Sequence, residues 1–216
     1  MAVVVHSPVV AKIDVRPWAK VPVAIAVDVS KGICQIDPAI RPLRPAGQQP
    51  HLFGRAVTAL CKPPDFGAVL YAIDCMVEGE VLVIAAAGNG ETAMIGEILG
   101  GHLRRLGAAG IVCDGAVRDV AALAGWHDLS VFARSITPRG PTGFEDGEVN
   151  GPVVIGGRNV RPGDLVIGDD DGLCALSPDM IQTLLGPAQA KMMLEMEWQS
   201  GLAAGKTISQ TFGLKS

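Results

Sequence analysis

Between residues 54 and 133, strand-like apolar runs alternate with stretches of helical spacing, and this alternation restricts the chain to an α/β architecture. Gly54–Leu60 reads as a strand. Asp65–Met76 carries Val69, Leu70, Ile73 and Met76 on one helical face. Glu80–Ala86 reads as a buried strand closing on Gly88-Asn89-Gly90, with a helix expected from about Glu91 to Leu106. Ala109–Cys113 is the next strand. It ends at Asp114-Gly115 with a short helix from about Val117, and Leu129–Ala133 forms another strand.

The flanks follow different rules. Residues 1–50 hold seven prolines. Proline lacks the N–H a helix interior needs, so short helices joined by turns are expected there. After residue 145, short strands are expected at Val149–Ile155, Arg158–Val160, Asp164–Ile167 and Leu173–Leu176, broken by Gly and Asp turns. The Asp169-Asp170-Asp171 triplet reads as a hairpin turn. Ser177-Pro178-Asp179 then opens a long helix over 177–203: serine as N-cap, proline in the first turn, aspartate at the positive end. With no repeat or linker, residues 1–216 are expected to form a single domain.

Composition narrows the function classes. Apolar residues make up 49% and charged residues 19%, with a net charge of −4. No Lys/Arg stripe exists to track a phosphate backbone, so nucleic acid is not an expected partner. The apolar run Val81–Ala87 is too short to span a bilayer. The N-terminal run Ala2–Val5 stops at His6-Ser7-Pro8 and lacks the form of a signal peptide. Five cysteines without a C-x-x-C pair suit a reduced, cytoplasmic protein rather than a zinc site.

In open α/β folds, ligands gather beyond the carboxyl ends of strands. Two such places stand out. Gly88-x-Gly90 lacks the later glycine of a dinucleotide fingerprint, and no Gly-Lys-Ser/Thr follows it; a structural turn is the competing reading. Arg118-Asp119 follows an apolar strand and a glycine. An arginine there suits a carboxylate or enolate oxygen, and an aspartate suits a hard divalent cation. A solvated surface pair is the competing reading on pattern alone.

The run Gly110-Ile-Val-Cys-Asp114-Gly-Ala-Val-Arg118-Asp119 closely resembles the central motif of the RraA-like family. That family includes 4-hydroxy-4-methyl-2-oxoglutarate/4-carboxy-4-hydroxy-2-oxoadipate aldolases and the RraA regulators of RNase E. Gly96-Glu-Ile-Leu99, Val131-Phe-Ala-Arg134, Thr137-Pro138, Gly147-Glu-Val-Asn150, Pro162-Gly-Asp164, Asp169-Asp-Asp-Gly172, Glu195 and Gly205-Lys206 match in order. The resemblance spans about residues 50–212.

It implies a layered β/β/α swivelling-type core, with short N-terminal helices and a long C-terminal helix. It also implies a divalent-metal-dependent class II aldolase that cleaves a 4-hydroxy-2-oxo acid such as 4-hydroxy-4-methyl-2-oxoglutarate to pyruvate plus a second 2-oxo acid, with oxaloacetate decarboxylation as a second activity. Asp119 would hold Mg2+ or Mn2+, and Glu97 would hold waters of that ion. Arg118 would bind the keto oxygen, and the backbone of Gly96, Glu97, Ile98 and Leu99 would cradle the carboxylate. Asp114 is a candidate partner of the arginine or a water. Glu195 would act in a neighbouring subunit's site, with a solvent-facing helix glutamate as the competing reading, and Arg139 is a candidate for a distal carboxylate, with a surface role as the competing reading. Aspartate is usual where Glu97 stands; glutamate extends the carboxylate by one methylene, roughly 1.5 Å. The implied assembly is a homotrimer or homohexamer. The alternative is a non-catalytic regulator that binds a ribonuclease.

Overall fold

In the computed structural model, which describes residues 3–8 and 10–214, the alternating segments form a parallel sheet with helices on one face. Ala2 of the N-terminal apolar run lies outside the described residues. In chain order the elements are β1 (Val4–Val5), a 3-10 turn at Arg16–Trp18, α1 (Val23–Val29), β2 (Arg41–Pro42), β3 (Leu52–Leu60) and α2 (Gly67–Cys75). Next come β4 (Val81–Ile95), α3 (Glu97–Leu106), β5 (Gly110–Val117), α4 (Val120–Gly125) and β6 (Ser130–Ile136). The chain closes with β7 (Glu148–Val149), β8 (Val153–Ile155), β9 (Arg158–Val160), β10 (Leu165–Asp169), β11 (Gly172–Leu176), α5 (Pro178–Ala203) and α6 (Ile208–Phe212).

Strands β3, β4, β5 and β6 lie side by side and parallel, and the antiparallel β2 edges β6. β3 belongs to two sheets. Its second half pairs with β4, while Leu52–Arg55 pairs antiparallel with β10 of the β10–β11 hairpin. Gly54 sits at this crossing because a side chain there would overlap the Gly79 carbonyl oxygen.

Pleat alternation sorts the side chains into layers. Leu82, Ile84, Ile111 and Cys113 pack under the helices with Val69, Ile73, Leu103 and Leu123. Val81, Val83, Val112 and Phe132 face the other way, onto Ile155, Val160, Val166 and Leu173. The hairpin alternates in turn: Leu165, Ile167, Cys174 and Leu176 pack outward against Trp18, Ile25 and Ile181. The protein is thus an α/β fold with a β/β/α core, and α1 and α5 cover the outer sheet. Each fully buried Leu or Ile contributes about 1.5–3 kcal/mol, so the alternation specifies the layering strongly.

Several boundaries differ from expectation. β4 does not turn into a helix after Gly90; it bulges through successive register shifts, pairing Asn89 with Gly115, then Ala93 with Ala116 and Ile95 with Val117. Ala87 (φ 51°) and Gly88 (φ 74°) start the detour, and Asn89 Oδ1 accepts the N–H groups of Glu91 and Thr92. The helix therefore starts at Glu97, not Glu91. β5 likewise runs on to Val117, and α4 begins at Val120. Val149–Ile155 splits into β7 and β8, because Asn150 takes a left-handed conformation (φ 57°). α6 is an additional helix.

The expected caps hold at the other end. Ser177 Oγ accepts the Met180 N–H at 3.4 Å, and α5 runs unbroken to Ala203. The aspartate triplet does make the β10–β11 turn. Two of its carboxylates also reach out: Asp169 accepts the Val23 N–H and Asp170 the Gly47 N–H. Among the described residues, no helix is long and apolar enough to cross a membrane.

Candidate functional site

At the carboxyl end of β5 the chain turns sharply, and the turn is built around Arg118 and Asp119. The Arg118 N–H donates to the Ile95 carbonyl at 3.1 Å, which holds the end of β5 against the end of β4. Asp119 takes the left-handed conformation, φ 56° and ψ 40°, as N-cap of α4. A non-glycine residue there costs on the order of 1 kcal/mol, and such strain collects at functional sites. The Asp119 carbonyl begins α4 by accepting the Ala122 and Leu123 N–H groups.

Its carboxylate turns to a different helix. Asp119 Oδ2 accepts the Glu97 N–H at 3.0 Å, at the start of α3. A negative charge there meets the positive end of the helix dipole. Arg118 Nε stands 3.6 Å from the same oxygen, and the two side chains are 39% and 42% exposed. The pair is therefore held together, yet open to a ligand.

Two glycines make room for it. A Cβ on Gly96 would overlap Asp119 Oδ2 and come within 2.8 Å of Arg118 Cγ. A Cβ on Gly140 would come within 2.5 Å of Arg118 Nη1, so the guanidinium lies against that backbone. Beside Arg118 is a cavity of about 300 Å3, lined chiefly by Phe66, Leu70, Met94, Leu99 and Pro141. Ile98 lines it on one side, with Glu97 next in sequence turned to the neighbouring groove. Beyond them lies an open groove of about 570 Å3 with Arg104, Arg105 and Trp126. Arg104 stacks over the Trp126 ring at 5.7 Å and pairs with Asp128 at 2.6 Å.

Of the residues named from sequence, Arg118, Asp119, Gly96, Glu97, Ile98 and Leu99 come together at this one mouth. The backbone cradle is partly occupied, because the Glu97 N–H already serves Asp119. The Ile98 and Leu99 N–H groups donate to no other element among the described residues.

Asp114 does not join them. Its Oδ1 accepts Arg134 Nε at 2.5 Å and its Oδ2 accepts the Gly156 N–H at 2.7 Å. Arg134 also reaches Asp37 at 2.9 Å, and its guanidinium is pushed above its ordinary value, chiefly by the Asp114 bond. The arginine that Asp114 holds is thus Arg134, which ties β5 and β6 to the β8–β9 turn. Gly88 also lies against Arg134, with a Cβ there falling 3.7 Å from Cδ, so the glycine turn does not face Arg118.

Glu195 lies on α5, where Lys191 Nζ is 3.5 Å away, on the far side of the β10–β11 sheet from α3. Arg139 is exposed and does not line the cavity; its carbonyl accepts the Ala93 N–H at 2.9 Å.

The donor set bears on a metal ion. Among the described residues, no three His, Cys, Asp or Glu side chains cluster as a cage. Asp119 Oδ1 has no donor among the described residues and is the one carboxylate oxygen of the pair left for a cation. A single protein oxygen suits magnesium or manganese, which keep most of their shell as water. The residues present fit such an ion.

The Aldolase/RraA family model, described as RraA-like, matches residues 23–174. The chain belongs to the RraA-like family. A relative from Halalkalibacterium halodurans, named "Putative 4-hydroxy-4-methyl-2-oxoglutarate aldolase", is 32% identical over 182 residues, covering 84% of this chain and 85% of that protein. An uncharacterized protein from Pseudomonas syringae pv. tomato has the same fold, with TM-score 0.80 and 23% identity over 95% of this chain and 99% of that one. Streptomyces coelicolor RraAS2, titled an unusual member of the RNase ES inhibitor RraA protein family, superposes with TM-score 0.74 and 24% identity. That match covers 86% of this RraA-like chain and 96% of RraAS2.

The apolar lining of the cavity escaped the sequence. Phe66 and Leu70, Met94 and Pro141 come from three separate stretches, and each alone reads as an ordinary core or loop residue. Gly96 carried a signal only through the family motif, and Gly140 carried none.

Proposed function

We propose that this RraA-like protein is a divalent-metal-dependent aldolase. It cleaves a 4-hydroxy-2-oxo acid, in the manner of 4-hydroxy-4-methyl-2-oxoglutarate, to pyruvate and a second carbonyl fragment. The observation that carries this reading is the shared mouth of Arg118 and Asp119, 3.6 Å apart at the N-terminus of α3.

The chemistry follows from what those groups can do. The Ile98 and Leu99 N–H groups, at the positive end of α3, receive the substrate's 1-carboxylate. Arg118 donates to the 2-oxo oxygen. When the C3–C4 bond breaks, the C4 hydroxyl passes its proton to water and becomes a carbonyl. The electron pair enters the C2–C3 bond, and negative charge gathers on the C2 oxygen facing Arg118. A guanidinium already aimed there stabilises that charge, an effect worth several kcal/mol. Protonation at C3 gives pyruvate. An Mg2+ or Mn2+ ion held by Asp119, with waters oriented by Glu97, would supply Lewis-acid stabilisation of the same charge. Oxaloacetate decarboxylation develops the same charge and falls within reach of the same residues.

Glu195 can enter this chemistry only from another protomer, since α5 is remote from α3 in its own chain. A homotrimer or homohexamer is the assembly we propose; Met193 and Met196, 60% and 61% exposed beside Glu195, are apolar surface for such a contact.

The test is pyruvate release coupled to lactate dehydrogenase, with and without EDTA. EDTA is expected to abolish turnover, Mg2+ or Mn2+ to restore it, and Arg118→Ala to lower kcat/KM by on the order of 10²–10³-fold. Metal-independent turnover, or full activity in Arg118→Ala, overturns the proposal. A second reading, a non-catalytic regulator of a ribonuclease, draws on the likeness to RraAS2. Stoichiometric capture of a ribonuclease, with no lyase activity on any 2-oxo acid, would favour it.

A further inference from the structure

The cavity beside Arg118 has a chemical character that the lyase reading leaves unused. It holds about 300 Å3, the lower end of the range for small-ligand sites. Phe66, Leu70, Met94, Leu99 and Pro141 surround it with apolar side chains, and among the described residues Arg118 is the sole charged lining residue.

Other cations near the mouth are directed elsewhere. Arg104 and Arg105 face the groove beyond Glu97, and Arg104 is held by Asp128. Lys62 is paired with Asp146 at 2.8 Å. Arg139 contributes its carbonyl to β4 and stays outside the lining.

We infer that, within the proposed lyase reaction, this cavity selects substrates whose C4 carries an alkyl or aryl group rather than a second carboxylate. The inference rests on that reading and narrows it to a substrate class. Once Arg118 serves the 2-oxo oxygen, a carboxylate beyond C4 would enter an apolar space in which the described residues of this chain offer no further side-chain donor, which is costly. An alkyl chain in the same space gains from leaving water, roughly fourfold in binding per methylene. The preferred cleavage then yields pyruvate and an apolar aldehyde or ketone: C3–C4 breaks, its electron pair forms the enolate, the C4–O bond becomes the carbonyl as the hydroxyl proton passes to water, and C3 takes a proton from water.

The test uses the full chain with Mn2+ and measures kcat/KM for pyruvate release. The substrates are oxaloacetate, 4-hydroxy-4-methyl-2-oxoglutarate, and the 4-hydroxy-2-oxo acids of five, six and seven carbons. Oxaloacetate carries nothing beyond C4, so it reports the pyruvate half of the site alone. The expected result is a rise along the alkyl series, with the seven-carbon acid about tenfold or more above 4-hydroxy-4-methyl-2-oxoglutarate. Leu70→Arg, which places a cation in the cavity, is expected to reverse that order among the substrates it still turns over. Should Leu70→Arg turn over none of them, the wild-type series decides by itself.

Turnover of oxaloacetate with the dicarboxylate preferred, or an unchanged order in an active Leu70→Arg protein, overturns the inference and leaves the lyase reading standing. No pyruvate from any of these compounds overturns both.

Discussion

Gly96→Ala isolates the geometry of the site from its chemistry, because it removes no functional group. Gly96 is extended, φ −150° and ψ −160°, a conformation alanine adopts freely, so the backbone alone sets no barrier. The added methyl instead overlaps Asp119 Oδ2 and lies 2.8 Å from Arg118 Cγ. Carbon atoms settle near about 3.5 Å, so Arg118 must retreat by roughly 0.7 Å. Asp119 must also move off the Glu97 N–H that it now accepts at 3.0 Å.

A displacement near 1 Å in a positioning group costs on the order of 10²-fold in rate, equal to about 2.7 kcal/mol of transition-state stabilisation. The expectation is a fall of that size in kcat/KM for pyruvate release. The loss of folding stability should be smaller, about 1–2 kcal/mol, mainly from the broken charge-assisted bond. Lactate-dehydrogenase-coupled kinetics and urea melts separate the two. A folded Gly96→Ala protein with wild-type kcat/KM would show that the Arg118–Asp119 arrangement does not govern turnover.

Two further outcomes concern stability. Arg134→Ala strands the Asp114 carboxylate, whose side chain is only 8% exposed, and should cost about 3 kcal/mol in urea unfolding; a cost under about 0.5 kcal/mol would contradict a structural role for the pair. Burial pushes the Asp164 carboxyl above the usual carboxylate range, although its Oδ2 accepts the Arg161 N–H at 2.9 Å. The folded state therefore holds this proton more tightly than the unfolded state does. The resulting penalty is absent below the usual carboxylate pKa and fully present once pH exceeds the raised value. Asp164→Asn should thus gain melting temperature relative to wild type at pH 7 compared with pH 4; a pH-independent difference would count against this account.

Much of the layering was legible because it depends on local pattern. Leu82 and Ile84 alternate with Val81 and Val83, and a strand of period two must send those sets to opposite faces. Ser177-Pro178-Asp179 marks a helix start by capping chemistry that needs no partner. The Arg118-Asp119 pair drew notice because it follows an apolar strand, where an α/β fold leaves room for a ligand.

Other features were decided by partners distant in sequence. No local signal shows whether Asp114 meets Arg118 or Arg134. The pleat and the β8–β9 turn decide it, by presenting the Gly156 N–H and Arg134 on one face. Nor does Gly88-Asn89-Gly90 reveal that β4 resumes pairing at Ala93, since that depends on the far end of β5. The cavity is the clearest case: its walls come from α2, β4, α3 and Pro141, and only packing brings them around Arg118. Local order follows from residue spacing along the chain, whereas a pocket is a relation among surfaces that spacing does not encode.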